Sequence, residues 1–384
     1  MGFMGYLRPD GKVGVRNHVV VMSSVSCANG VAEAVAREVP GLKAVTHTEG
    51  CGRGMKDLPV TMRTLTGLGR NPNVAAVLVV GLGCEFIDPK VLSSEIAVSG
   101  KPVRTLVIQK EGGSQTTTRK GIEIARELLE QAGRQSREER PWSDLVLGLK
   151  CGGSDAMSGV TANPAVGAAS DWLISQGGTA MLSETTEMIG TASILAARAA
   201  TPEVAGQVSA MIENHHRLAK DLLGVMADSA ISPGNMEGGL TTIQEKSLGC
   251  IVKGGTSPIR EVLEYAAAPG QRGLVLMDSP GSDVFSMTGM AAGGAQIIAF
   301  TTGMGTPAGF PVVPVIKISS TTELFDRMAE DLDLDAGAIL EGAPVGEVGD
   351  RLVALIGRVA EGKQTKTEAN LQDLLAIHTY EPAF

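Results

Sequence analysis

The sequence predicts an α/β protein, with parallel sheets in Rossmann-like layers arranged as two α/β units. Three observations lead there. Short apolar runs recur along the chain, most end in a Gly-, Ser- or Thr-bearing turn, and most are followed by a stretch of helical periodicity. Strands that alternate with helices in this way pair in parallel, because right-handed crossovers return the chain to the same edge of the sheet. Aromatic residues make up only 3% of the chain while glycine reaches 49 residues, so the core is aliphatic and the turns are tight.

In the first unit, residues 1–140, the apolar run Val19–Met22 is a strand leading into Ser26-Cys27, and residues 32–38 are helical. Residues 44–48 form a second strand that ends in Glu49-Gly50-Cys51-Gly52, with a helix over 59–68. Ala75–Val80 is the clearest strand and ends in Gly81-Leu82-Gly83-Cys84. Residues 103–109 are a fourth, before a long helix over 116–133. The polar stretch Arg134–Arg140 reads as a linker.

The second unit, residues 141–384, opens with a strand over 144–149 that runs into Lys150-Cys151-Gly152-Gly153-Ser154-Asp155. Residues 179–182, 274–277, 295–300 and 312–318 read as further strands, 194–198 and 209–226 as helices, and the last sixty or so residues as a helical segment.

A formal net charge of -9 without a run of Lys or Arg excludes a nucleic-acid binder. No stretch approaches the length of a bilayer span, and the N-terminal apolar run is too short for a secretory signal, so a cytoplasmic protein away from membranes is expected. Five widely spaced cysteines make no disulfide framework and are expected to stay reduced.

Cys27, Cys51, Cys84 and Cys151 each fall at, or just past, the carboxyl end of a predicted strand. The carboxyl edge of an open α/β sheet is where ligands bind, so four thiols repeating that position beside glycine point to a metal or cluster site. The spacing is not that of a zinc finger, and Cys250 lies outside the pattern and is expected in the core. His47 precedes Cys51 by four residues and is a candidate general base; His18 opens the first strand; His215 and His216 fall on a polar helix. Glu184 and Glu187 close the strand at 179–182, and Asp278 and Asp283 stand in a similar position. Three glycine-rich segments, 151–155, 234–239 and 301–307, offer backbone N–H nests for a carboxylate, with Lys246 and Lys317 following two of them.

At these segments the chain resembles the altronate dehydratase/galactarate dehydratase family. The resemblance rests on Gly5-Tyr6-Leu7-Arg8, Gly11-Lys12-Val13-Gly14-Val15-Arg16-Asn17, Ser26-Cys27-Ala28-Asn29, Gly50-Cys51-Gly52 and Gly81-Leu82-Gly83-Cys84-Glu85. It continues through Cys151-Gly152-Gly153-Ser154-Asp155, Ser183-Glu184-Thr185-Thr186-Glu187, Ser232-Pro233-Gly234-Asn235 and Pro314-Val315-Ile316-Lys317. It implies a lyase that converts a sugar acid to a 2-keto-3-deoxy acid by β-elimination, with iron (Fe2+ or an iron–sulfur cluster) or another divalent metal. It implies catalytic roles for His47, Glu184 and Lys246, substrate binding by Arg16, Asn17, Ser154, Asp155, Asn235 and Lys317, and metal ligation by Cys27, Cys51, Cys84 and Cys151.

Single-chain members of that family carry a small β-rich domain ahead of the Gly-Tyr-Leu-Arg motif, so a separate small subunit is an expected partner, beside a hydroxy-acid substrate and further copies of the chain. The large subunit of (2R)-sulfolactate sulfo-lyase falls in the same family, which makes sulfite release an alternative. By the resemblance, retention of Cys27, Cys51, Cys84 and Gly153 favours dehydration. A non-catalytic thiol redox or ligand-binding protein is the reading from a different class.

Overall fold

The computed structural model describes residues 2–229 and 231–383. Strand β1 (Gly2–Leu7) and the short β2 (Val13–Gly14) open the chain. They are followed by β3 (His18–Ser23), β4 (Leu42–Val45), β5 (Val74–Gly81) and β6 (Val103–Val107), which pair in parallel in the order β4-β3-β5-β6. All eight residues of β5 are buried, as expected of a strand covered on both faces. Helices Asn29–Glu38 and Ser114–Gly133 cover one face through Val19, Val21 and Leu78. Helices Asp57–Arg70 and Pro89–Ala97 cover the other through Val20, Val77 and Val79.

Residues 134–140 are not a simple linker. Glu138–Pro141 forms strand β7, which runs antiparallel to β1 with Gly2 opposite Pro141 and Gly5 opposite Glu138. The charged side chains of β7 mask a strand whose outer face meets water.

The second sheet comprises β8 (Val146–Cys151), β9 (Thr179–Leu182), β10 (Ile259–Leu263), β11 (Gly273–Met277), β12 (Ile297–Thr302), β13 (Val315–Ser319) and β14 (Leu334–Asp335). Its order is β10-β11-β9-β8-β12-β13-β14, and every pairing is parallel. The chain starts at the central β8, lays β9 beside it, places β10 at the edge and β11 between the two, then crosses to β12 on the other side. The strand order therefore reverses between β8 and β12, and the loops leaving their carboxyl ends diverge to frame a crevice.

The two sheets share a core. Val77 and Val79 of the first and Val275, Met277 and Phe300 of the second belong to one buried cluster. Gly67 lies against helix Asp283–Ala292 so closely that a Cβ there would sit 2.3 Å from the Ala292 carbonyl oxygen. The buried Asn71 donates to the Ala291 and Ala295 carbonyls, and Asn73 donates to those of Gln296 and Val312, which closes the polar backbone inside this junction.

Candidate active site

At the carboxyl end of β8 a polar centre is buried in the second unit. Lys150 and Cys151 are the last two residues of β8. Glu184 follows β9 with φ 77°, a left-handed conformation that a residue with a Cβ adopts at a cost, and Glu187 lies one turn further on. The helix Ile243–Cys250 and the turn after it bring in Lys246, Cys250 and Lys253. Lys150 is ion-paired to Glu184 and, at 2.8 Å, to Asp283. Lys253 lies 2.6 Å from Cys151 Sγ and 3.1 Å from Glu184 Oε2. Lys246 pairs with Glu187 Oε1 at 2.8 Å. Glu187 Oε2 accepts from Cys151 Sγ at 3.0 Å and Cys250 Sγ at 2.9 Å, and the two sulfurs are 3.2 Å apart.

Three lysines thus face three carboxylates. Burial works against the charges of the three lysines and the two glutamates, but mutual pairing reverses it for most of them. Burial works against the charges of Lys150 and Lys253, yet the carboxylates, and for Lys253 first of all Cys151, raise both above the ordinary lysine range. Lys246 is raised as well, by Glu187 against its burial. Burial pushes Glu187 up, but Lys246, Lys150 and Lys253 outweigh it and bring the group down to about 2. Glu184, by contrast, is raised by burial despite Lys150 and Lys253. Two carboxylates of one centre therefore differ in acidity, a pattern that separates a fixed anion from a proton carrier.

Cys151, Glu187 and Cys250 each offer a donor atom, and these lie within 4.8 Å of one another. Two sulfurs and one oxygen suit iron or zinc rather than magnesium or calcium. Because the lysines and carboxylates already cancel, ionisation of both thiols would balance a dication. The residues fit a divalent ion. The space behind the centre, between Glu184, Glu187, Cys250 and Lys253, admits no water molecule.

In front of it a cleft of about 280 Å³ opens between the loop after β8 and helix Ile243–Cys250. Ser154, Asp155, Lys246 and Cys250 line it, so Lys246 and Cys250 join the cleft to the buried centre. The buried Ser154 hydroxyl makes no hydrogen bond among the described residues. Gly303 and Met304, just past β12, donate backbone N–H groups to Gly153 O at 2.9 and 2.7 Å, stitching together the loops that flank the crevice.

Several residues singled out in the sequence take other places in the fold. Cys250 is buried as foreseen, but it faces Cys151 and Glu187 rather than an apolar core. Asp155 accepts from Ser158 and Ser320, which leaves it a loop anchor at the cleft wall. Asn235 bridges Ser154 O and Lys246. Lys317, on β13, is fully buried, with its ammonium 3.2 Å from the Phe300 ring centroid and no hydrogen bond among the described residues, and burial lowers its pKa well below the usual range. It does not reach the cleft.

Arg16 and Asn17 precede β3 and so stand at the amino end of the first sheet, away from its binding edge. Arg16 is held by Glu368 and the carbonyls of Val15, Val359 and Lys363, while Asn17 binds Arg8 and Ala132 O. They clamp the termini of the fold. His47 accepts from the Glu49 N–H at Nδ1 and donates from Nε2 to Ser23 O, so neither nitrogen is free to act as a base, and burial lowers its pKa. Cys27, Cys51 and Cys84 are exposed at the edge of the first sheet and are not part of the Cys151 centre. His215 binds Asp278 at 2.7 Å and is only partly exposed.

Sequence reasoning passed over Lys150, Lys253 and Cys250. A lysine ending an apolar strand was the available signal for Lys150.

Comparison with known proteins agrees with this organisation. Residues 142–382 match the family model of the D-galactarate/altronate dehydratase C-terminal domain, and residues 5–133 match that of the D-galactarate dehydratase/altronate hydrolase second domain. The chain belongs to the D-galactarate/altronate dehydratase family. Altronate dehydratase of Bacillus subtilis (strain 168) is 37% identical over 354 residues, covering 88% of this chain and 69% of that protein. Galactarate dehydratase (L-threo-forming) of Escherichia coli (strain K12) is 38% identical over 404 residues, covering 99% and 77%. The (2R)-sulfolactate sulfo-lyase subunit beta of Chromohalobacter salexigens is 37% identical over 385 residues, covering 99% and 98%. The chain is accordingly an enzyme of a lyase family. Among the described residues no helix is long and apolar enough to cross a membrane.

Proposed function

We propose that this enzyme dehydrates a sugar acid of the altronate or galactarate kind to a 2-keto-3-deoxy acid by β-elimination. The observation that carries this is Lys246, which lines the cleft while bound to the buried Glu187. The substrate carboxylate meets the Lys246 ammonium and the unpaired Ser154 hydroxyl. These donors stabilise the negative charge that spreads onto the carboxylate as the α-proton leaves. The proton passes into the chain Lys246–Glu187–Cys151–Lys253–Glu184, whose links measure 2.8, 3.0, 2.6 and 3.1 Å. Lys246 takes the α-proton as it hands its own to Glu187, and Glu184, at the buried end, takes up the last proton of the relay; the relay then runs back and delivers a proton to the β-hydroxyl, which departs as water, and the enol product becomes the ketone. A divalent ion held by Cys151, Glu187 and Cys250 would supply Lewis-acid polarisation.

We read the chain as two α/β units divided near residue 140, with this chemistry in the second. A second reading, release of sulfite from sulfolactate, is favoured by one observation: the chain matches 98% of the sulfo-lyase subunit beta but 69–77% of the dehydratases. That this relative is named a subunit beta supports a further subunit as partner. Incubating the purified chain with altronate, galactarate or sulfolactate and measuring keto acid and sulfite separates the two. Keto acid without sulfite supports dehydration; sulfite alone overturns it in favour of the second reading.

A further inference from the structure

His215 stands on helix Pro202–Leu223, outside the buried centre, yet hydrogen bonds tie it to Glu184 through the loop that follows β11. Glu184 has φ 77° and ψ 57°. A residue with a Cβ keeps that left-handed conformation only where its surroundings over-determine it. Strands β9 and β11 are neighbours in the sheet, so the loops leaving their carboxyl ends meet beside Glu184. Ser279 Oγ accepts the Glu184 N–H at 3.0 Å, and Ser279 O accepts the Thr185 N–H at 2.9 Å. These two N–H groups belong to the peptide planes on either side of the Glu184 Cα. Turning φ or ψ at Glu184 pulls one of them away from Ser279.

The loop that supplies Ser279 is fixed in return. Ser279 N donates to Thr185 Oγ1 at 3.0 Å, and that hydroxyl donates to Asp278 Oδ1 at 2.9 Å. The same Asp278 oxygen pairs with His215 Nε2 at 2.7 Å. Ser279 and Thr185 are buried, so no solvent replaces a lost partner there. The Asp278 side chain, in contrast, is 36% exposed and is free to swing into water unless His215 tethers it over Thr185. His215 Nδ1 is buried and has no hydrogen bond among the described residues, so the ring is held by its bond to Asp278. With the backbone set in this way, Glu184 Oε2 accepts the Cys151 N–H at 3.0 Å and meets Lys253 at 3.1 Å.

We propose that His215 is a positioning residue of the lyase: through Asp278, Thr185 and Ser279 it holds Glu184 in the left-handed conformation that turns its carboxylate onto Lys253. This rests on the reading of Glu184 as the buried end of the proton relay. His215 touches neither the cleft nor the relay; it acts on the direction in which one side chain leaves the backbone.

The test is steady-state kinetics of the full chain on whichever acid the wild type turns over. His215→Leu should lower kcat about 10-fold and Ser279→Ala about 100-fold, each with KM nearly unchanged, as loss of a supporting hydrogen bond behind a site does. His215→Gln, whose amide still donates to Asp278, should recover most of the loss. In a Glu184→Gln background, His215→Leu should lower kcat further by less than about 2-fold, because the group it positions is already gone. A wild-type kcat in His215→Leu overturns the proposal. So does a loss that His215→Gln fails to recover, or one that multiplies in full on Glu184→Gln. A wild-type rate in Glu184→Gln alone removes Glu184 from the mechanism and the proposal with it, and that failure is told apart because it appears in the single variant.

Discussion

Replacing Lys246 with Met removes the ammonium from the cleft but keeps the side chain's apolar length. Loss of a positioned charge at a developing carbanion lowers kcat/KM on the order of 10²-fold, to be read by steady-state kinetics with the substrate found active. Glu184→Gln keeps the shape and abolishes the proton-holding oxygen, so kcat should fall by about 10²–10⁴-fold while KM changes little. It also leaves Lys150 and Lys253 short of a counter-charge, and breaking a buried pair in this way costs about 3 kcal/mol in denaturant unfolding. A wild-type kcat in that variant would remove Glu184 from the mechanism. At this scale the sequence was partly legible. Glu184, Lys246 and Cys151 stand out beside strand ends, but Cys250 meets Cys151 across 99 residues of chain, a pairing with no local signature. His47 misleads for a related reason: it does follow a strand, but the Glu49 N–H and the Ser23 carbonyl of the neighbouring β3 consume both nitrogens.

Strand ends and the glycines that follow them build the crevice. A Cβ on Gly303 would lie 2.1 Å from the Asp155 carboxyl carbon, which Ser158 and Ser320 already hold in place. Gly303→Ala should therefore cost about 1–3 kcal/mol by overpacking and should disturb the cleft, whereas Gly234→Ala, with open space around it, should stay within about 0.5 kcal/mol. Denaturant melts of the pair check this; equal stabilities would mean the loop yields freely. Thr179–Leu182 is a strand in the position its apolar run predicts, and the buried β5 is one residue longer at each end than its reading. The helix read from residue 209 begins at Pro202, because Thr201 caps it through the Val204 N–H. Strands β1 and β7 were missed since their pairing is set by distant partners and their sequences are mixed in polarity.

For the molecule as a whole, His18 and His47 set an acid limit. Burial, helped by Lys43 and Arg16, holds His18 down at about 4 against an ordinary value near 6.5, and burial lowers His47 in the same direction. The fold thus binds fewer protons than the unfolded chain between about pH 6.5 and 4, so stability declines as pH falls through that window. Unfolding free energies at pH 7 and pH 5 should differ in that sense, and His18→Gln should flatten the slope; an unchanged slope would assign it elsewhere. The α/β class and the parallel sheets were legible because apolar runs and glycine turns alternate along the whole chain. The order of the second sheet was not, since nothing local dictates that β12 joins β8 on the side opposite β9.

The most direct test of the lyase centre is the keto acid assay run in parallel on the wild type, Lys246→Met and Glu184→Gln. The centre described here predicts 2-keto-3-deoxy acid from a sugar acid, without sulfite, and its near loss in both variants. Keto acid formed at the wild-type rate by both folded variants would contradict it.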